Sequence, residues 1–181
     1  LEVDLRDHAA LRASLGETDA VIHSAAVFSL NPLEAQAMRE FNPTSTRVIL
    51  EAATALGIDP VVYLSTSGVF MPLSGAPIGP LTEISTGCGP YTKSKIEAEQ
   101  IARQHQAIGA PVVCIYPGGV IGPRDPNQEL TDSMSLVTTI LGRDTALVPE
   151  GARLAMVDVR DVAAVCVLSL IHISEPTRPR L

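Results

Sequence analysis

The chain has no tryptophan, and aromatic residues make up only 3% of its 181 positions. Without aromatic side chains there is no platform on which the bases of single-stranded nucleic acid stack. Positive charge is also scarce. Lys+Arg 13 against Asp+Glu 20 gives a formal net charge of −7, and no basic run offsets it. Neither a nucleic-acid backbone nor an anionic membrane surface finds a match in such a chain. Long apolar runs are missing too. The stretch 162–169 is far too short to cross a bilayer, and no signal peptide is recognisable. Cysteine is limited to Cys88, Cys114 and Cys166. This odd, widely spaced set contains no C-x-x-C pair and reads as reduced thiols of a cytoplasmic protein. His8, His23, His105 and His172 do not cluster, so no metal is expected.

What is present suffices for one folded domain: 46% of residues are apolar and 18% charged. Residues 1–5 read as the end of a strand. Asp7 caps an expected helix to Leu15 that Gly16 closes. Residues 19–25 (DAVIHSA) form a short apolar strand. A long amphipathic helix follows over 33–56, ended by Gly57, with a break or kink expected near Asn42 because Pro43 lacks an amide hydrogen. Residues 60–65 (PVVYLS) are β-branched and apolar, a buried strand, and 66–89 are loop. Pro90 opens a helix to about Ile108, stopped by Gly109. Residues 110–116 (APVVCIY) make another buried strand and 117–130 a loop. A helix over 131–142, a strand over 153–157 and a helix over 159–168 complete the pattern.

Strands without period-2 alternation, each separated by a helix, imply a parallel sheet covered on both faces. The expected fold is therefore doubly wound α/β. Ligands of such sheets bind at the carboxyl ends of the strands, which places the chemistry just after Ala25, Ser65 and Tyr116. The Gly-rich fingerprint G-x-G-x-x-G or G-x-x-G-x-x-G that normally opens a dinucleotide fold does not occur in the sequence. The expectation is that about two βα units precede the first residue.

The chemistry-bearing segment is Tyr91-Thr92-Lys93-Ser94-Lys95. Tyr91 and Lys95, four apart on an expected helix, share one face. A free phenol has a pKa near ~10 and exchanges protons poorly at neutral pH. A fixed ammonium beside it favours the phenolate and suits it to acid–base work on a carbonyl or alcohol. The chain has eleven arginines but only Lys93 and Lys95 as lysines. A lysine four residues after one of three tyrosines arises by chance in about 3% of cases, so a merely solvated helix face is the weaker reading. Ser65-Thr66-Ser67 ends the buried strand, where a hydroxyl reaches the crevice and can steady developing negative charge.

The ordered blocks DLRD (4–7), VIHSAA (21–26), Asn42, LSTSG (64–68), Y-x-x-x-K (91–95) and YPGGVIGP (116–123) resemble the extended short-chain dehydrogenase/reductase superfamily. Within it they resemble NAD-dependent epimerase/dehydratase proteins, in the dihydroflavonol-reductase and 3β-hydroxysteroid-dehydrogenase-like branch. The resemblance covers residues 1 to about 167. It implies a Rossmann-type sheet, truncated at the N-terminus and in the C-terminal substrate lobe, and a cofactor that is NAD or NADP. It implies that Ser67 is the catalytic serine, with Thr66 the alternative, that Tyr91 carries the proton, and that Lys95 binds the nicotinamide ribose and lowers the Tyr91 pKa. Asp4 and Leu5 match adenine-contacting positions. Ala25 and Ala26 let the backbone approach the cofactor ribose, and Pro117 and Val120 lie near the nicotinamide. Asn42 matches a helical asparagine of structural role, and residues 157–163 match a block near the substrate lobe. A homodimer through the helix over 90–108 and the one before it is implied as well.

The implied activity is an NAD(P)-dependent oxidoreductase acting on a carbonyl or secondary alcohol. A nucleotide-sugar epimerase or dehydratase uses the same core, and a non-catalytic NAD(P)-binding regulator shares the fold. Without the phosphate loop the chain as written is expected to be inactive. Residues 168–178 (LSLIHISEPTR) resemble the translation of a transposase-library sequencing adapter, so 168–181 are expected to be a non-native tail.

Overall fold

The computed structural model describes residues 3–5, 7–29, 31–71, 77–79, 82–87, 89–124 and 155–172. Among these, the main sheet has three parallel strands in the order β1 (Val21–His23), β2 (Val61–Leu64) and β3 (Val112–Ile115). Val21 lies beside Val61, and Val61 beside Val112. Each parallel step is made through a helix: α2 (Ala35–Leu56) links β1 to β2, and α3 (Pro90–Ala107) links β2 to β3. A helix α1 (His8–Leu15) precedes β1. Strands β4 (Gly119–Ile121) and β5 (Met156–Asp158) form a second parallel pair, with Val120 opposite Val157, and helix α4 (Val159–His172) follows. The result is the expected Rossmann-type doubly wound α/β arrangement.

The two faces of β2 show why its sequence is apolar throughout. Val61 and Tyr63 pack with Leu50 and Ala53 of α2 and with Ala98, Ile101 and Ala102 of α3. Val62, on the opposite face, packs with Val162 and Cys166 of α4 and is joined by Leu64, Val120 and Val157. Period-2 alternation would put polar groups under one of these layers.

The helix ends follow local chemistry. Asp7 Oδ1 accepts from the Ala10 amide at 3.0 Å and caps α1. Gly57 closes α2 in the left-handed region at φ 69°, where a side chain would be strained. Gly16 closes α1 in the ordinary right-handed region instead. Gly118 meets a different demand: a β-carbon there would collide with the carbonyl oxygen of Ala155, so the approach of β4 to β5 needs a bare backbone.

Several expectations are corrected. Residues 3–5 are not strand; the Asp7 amide donates to Asp4 O at 2.9 Å and makes a turn. Helix α2 runs unbroken from Ala35 to Leu56 with Pro43 inside it. Buried Met38, Asn42, Ser45, Thr46, Ile49, Leu50 and Ala53 fix it along its length, and that packing outweighs one missing hydrogen bond. The expected loop over 117–130 contains β4, and the expected loop over 66–89 contains a 3-10 turn, Ser67–Phe70. Strand β5 begins at Met156, and α4 runs to His172 rather than 168. Cys88, the helix expected over 131–142 and the tail beyond 172 lie outside the described residues. Among the described residues no helix is long and apolar enough to cross a membrane.

Candidate active site

The carboxyl end of β2 is where the expected catalytic residues lie. The Ser65 amide donates to Ile115 O and the Ser67 amide to Pro117 O, both at 2.9 Å. Parallel pairing thus continues past the end of β2 and holds the serine segment against the exit of β3. Thr66 Oγ1 accepts from the Gly68 amide at 3.2 Å and caps the 3-10 turn in which half-buried Ser67 sits. A β-carbon at Gly68 would lie 3.9 Å from Thr92 Oγ1, so this turn rests against the first turn of α3. Ser65 is buried, and its Oγ has no hydrogen-bond partner among the described residues.

Lys95 is 3% exposed. Its Nζ donates to Leu64 O at 2.9 Å and stands 4.6 Å from the centroid of the Tyr63 ring, a cation–π distance. Burial brings the amine down to about 8, against the opposing pull of Glu99 and Cys114. An amine titrating there is largely charged at neutral pH. The His23 ring stacks on Tyr63 with centroids 5.4 Å apart. Burial, and then the charge of Lys95, lower His23 to about 4, so the imidazole is neutral. Its Nε2 lies 3.0 Å from Thr46 Oγ1, whose own hydrogen goes to Asn42 O. Nε2 is therefore the donor.

Tyr91 is half-buried, and its ring meets Phe28 edge-on at 4.8 Å. Its pKa is raised, not lowered, and burial is the cause. The expectation that Lys95 makes Tyr91 more acidic is corrected for this conformation. The ammonium is turned to Leu64 O and the Tyr63 ring, so desolvation governs the phenol. Tyr91 is a protonated donor at neutral pH.

The turn carrying Tyr91 is anchored from across the fold. Ser94 Oγ donates to Tyr91 O at 2.7 Å and accepts from Asn42 Nδ2 at 2.9 Å. Asn42 also accepts from the Val27 amide at 2.7 Å and donates to Val27 O at 2.9 Å. One buried asparagine thus fixes the segment after β1 to both α2 and α3.

The expected cofactor residues fall into two groups. On the β1 side, exposed Ala25 and Ala26 lead to Val27, which lines a cavity of about 350 Å³ with Leu5, Phe41 and Thr44. Asp4 is exposed beside Leu5. On the β3 side, Pro117 lines a second cavity of about 250 Å³ with Tyr116, Met156 and Val162. Val120 is half-buried in β4 and packs toward α4. Ser67, Tyr91 and Lys95 line neither cavity.

The sequence model of the NAD dependent epimerase/dehydratase family matches residues 1–180. The chain belongs to that family. Among curated relatives, "Sterol demethylase protein B" of Methylococcus capsulatus is 28% identical over 92% of this chain and 51% of its own length. "Putative dihydroflavonol 4-reductase" of Synechocystis is 33% identical over 80% of this chain and 42% of its own. The chain thus spans about half the length of the curated relatives it matches. Among solved structures, the dTDP-glucose 4,6-dehydratase DesIV of Streptomyces venezuelae with NAD and TYD bound superimposes with a TM-score of 0.75 at 26% identity, covering 92% of this chain and 53% of that one.

This epimerase/dehydratase chain also holds groups that the sequence reading passed over. Glu99 is fully buried, and its Oε1 accepts from Tyr116 Oη at 2.6 Å and from Arg103 Nε at 3.1 Å. Tyr91, Lys95, Glu99 and Arg103 recur at every fourth position, a spacing that puts them on one helix face. That repeat was visible in the sequence. The unpartnered Ser65 hydroxyl and the Asn42–Ser94 link were not, because both depend on the tertiary fold.

Proposed function

We propose that the chain carries the proton-transfer site of an NAD(P)-dependent oxidoreductase that moves a hydride to or from a carbonyl or secondary alcohol carbon. The supporting observation is Lys95, buried at the end of β2 with its Nζ on Leu64 O, one helical turn from Tyr91. Burying an ammonium is costly unless it is paired. Its placement beside Ser65-Thr66-Ser67 is what a ribose-binding lysine requires. The residues present fit a nicotinamide ribose. An ammonium has three donors, Lys95 uses one on Leu64 O, and the Ser65 hydroxyl close by is unpartnered. Lys95 would hold the ribose hydroxyls, Pro117 and Val120 would border the nicotinamide, and Asp4, Leu5, Ala25 and Ala26 would hold the adenosine end. When bound, the nicotinamide supplies or accepts the hydride.

In the reducing direction the Tyr91 hydroxyl gives its proton to the carbonyl oxygen. The Ser67 hydroxyl, or Thr66 in its place, donates a hydrogen bond to the same oxygen and stabilises its developing charge. In the reverse direction Tyr91 takes the alcohol proton, which requires Lys95 to turn toward it and favour the phenolate. A homodimer through α2 and α3 belongs to the same proposal.

The dehydratase likeness favours a second reading, a nucleotide-sugar dehydratase or epimerase, in which the sugar's hydride is taken and returned within one turnover. Net oxidation of the nicotinamide separates the two. Protein that carries the expected upstream βα units ahead of this chain is assayed with NADH or NADPH and a 3-ketosteroid or a dihydroflavonol, and with NAD and dTDP-glucose. Tyr91→Phe, which keeps the ring against Phe28, is expected to lower kcat about 10²–10⁴-fold. An undiminished rate in Tyr91→Phe refutes both readings.

A further inference from the structure

Lys95 sits in a pocket of mostly neutral groups. His23 faces it from β1, held neutral by a pKa of about 4. Tyr63 faces it from β2, its phenol pushed far up by burial. Cys114 faces it from β3, its thiol pushed up to about 12, also by burial. Tyr91, one turn earlier on α3, is a protonated phenol. Among the described residues the acidic neighbour of Lys95 is Glu99, one turn later on the same helix. Its two oxygens are unequally used: Oε1 receives both Tyr116 Oη and Arg103 Nε, while buried Oε2 has no partner among the described residues. Arg103 is itself tied down, with Nη1 donating to Thr82 O at 3.1 Å and its guanidinium over the Phe70 ring.

We propose that Glu99 is a positioning residue, the buried counter-charge that keeps Lys95 an ammonium at the end of β2, and that Arg103 and Tyr116 fix its carboxylate for that task. The ion pairing acts through space, because Lys95 Nζ spends its observed hydrogen bond on Leu64 O rather than on Glu99. Such an arrangement leaves the other Nζ hydrogens free for a ribose while the field of the carboxylate offsets the cost of burial. Arg103 works in the opposite sense, since it neutralises part of the Glu99 charge that Lys95 feels. The assignment rests on the reading of Lys95 as a cofactor-holding residue, but the state of its amine is measurable without any cofactor.

The test is a lysine-specific NMR titration. The chain has only two lysines, so 13C-lysine labelling gives two side-chain signals, and Lys93→Arg assigns them. Lys95 is expected to titrate near 8 in the parent protein. Glu99→Gln should lower its midpoint by about one pH unit. Arg103→Gln, at a partly exposed side chain, should raise it. Opposite shifts from two neighbouring substitutions are not produced by a general loosening of the fold. If Glu99→Gln does not fold, the double variant Glu99→Gln/Arg103→Gln, which removes the buried carboxylate and its partner together, is compared with Arg103→Gln, and its Lys95 midpoint should be the lower of the two. A Lys95 midpoint that stays in place in Arg103→Gln, or in a folded Glu99→Gln, overturns the proposal. If the midpoints shift as stated while Tyr91→Phe keeps full activity, the catalytic reading fails and the role of Glu99 stands.

Discussion

Asn42 Nδ2 donates to Ser94 Oγ at 2.9 Å, joining residues 52 positions apart in helices α2 and α3. Ser94 passes the link on to Tyr91 O, and Asn42 holds both polar groups of the Val27 backbone. Removing the amide strands several donors and acceptors at once, which costs more than a single exchanged hydrogen bond. Asn42→Ala should therefore destabilise the protein by about 3 kcal/mol, and Ser94→Ala by about 1 kcal/mol. Urea unfolding checks both. A loss in Asn42→Ala no larger than in Ser94→Ala means the Val27 bonds contribute nothing.

Ser65 separates stability from function. Its buried hydroxyl makes no hydrogen bond, so Ser65→Ala removes a desolvated polar group that no partner compensates. Stability should stay within about 1 kcal/mol of the parent or rise. If the hydroxyl serves the ribose, the same substitution should weaken NADH binding about five-fold, equivalent to ~1 kcal/mol. Titration followed by nicotinamide fluorescence, together with a urea curve, measures both. Equal NADH affinity in parent and variant removes Ser65 from the cofactor site.

The parts of the fold that were legible in sequence are those that local chemistry decides. Asp7, Gly57, Pro90 and Gly109 mark helix ends through rules that need only neighbouring residues. The unbroken apolar runs of β2 and β3 announce a sheet covered on both faces. β4 was missed because three residues, Gly119–Ile121, carry too little pattern to stand out from a Gly- and Pro-rich loop. The site divides the same way. The Tyr91–Lys95 spacing is a helical period and was readable. The direction in which Lys95 Nζ points was not, because Leu64 O and the Tyr63 ring arrive from another element. Nor was the burial that raises the Tyr91 pKa, since it too is set by the tertiary fold. Glu99 was hidden for a related reason: its partner Tyr116 comes from beyond β3.

Pro43 shows the limit of a local rule. A proline inside a helix removes one hydrogen bond and crowds the preceding turn, at a cost near ~3 kcal/mol. Helix α2 nevertheless continues, since its buried stripe from Met38 to Ala53 is packed on α3 and the sheet. Alanine in its place recovers the bond while making the unfolded chain more flexible. Pro43→Ala should therefore stabilise the protein by about 2 kcal/mol. A urea midpoint that does not move, or falls, shows that α2 has already absorbed the proline without strain.

His23 gives the fold a dependence on pH. The imidazole is buried among Tyr63, Thr46 and Lys95, and desolvation first, then the Lys95 charge, lower its pKa to about 4. In the unfolded chain histidine titrates near ~6.5. Between these values the unfolded state binds more protons than the folded one, so stability rises with pH through the window and is lost as pH falls from about 6.5 to 4. The full span is worth ~3 kcal/mol. His23→Gln keeps a donor for Thr46 but cannot titrate, so it should flatten the curve in this window. Urea midpoints at pH 4, 5, 6 and 7 for parent and variant make the comparison. If both proteins lose stability at the same rate on acidification, His23 is not the group responsible, and carboxylates elsewhere in the fold set the acid limit.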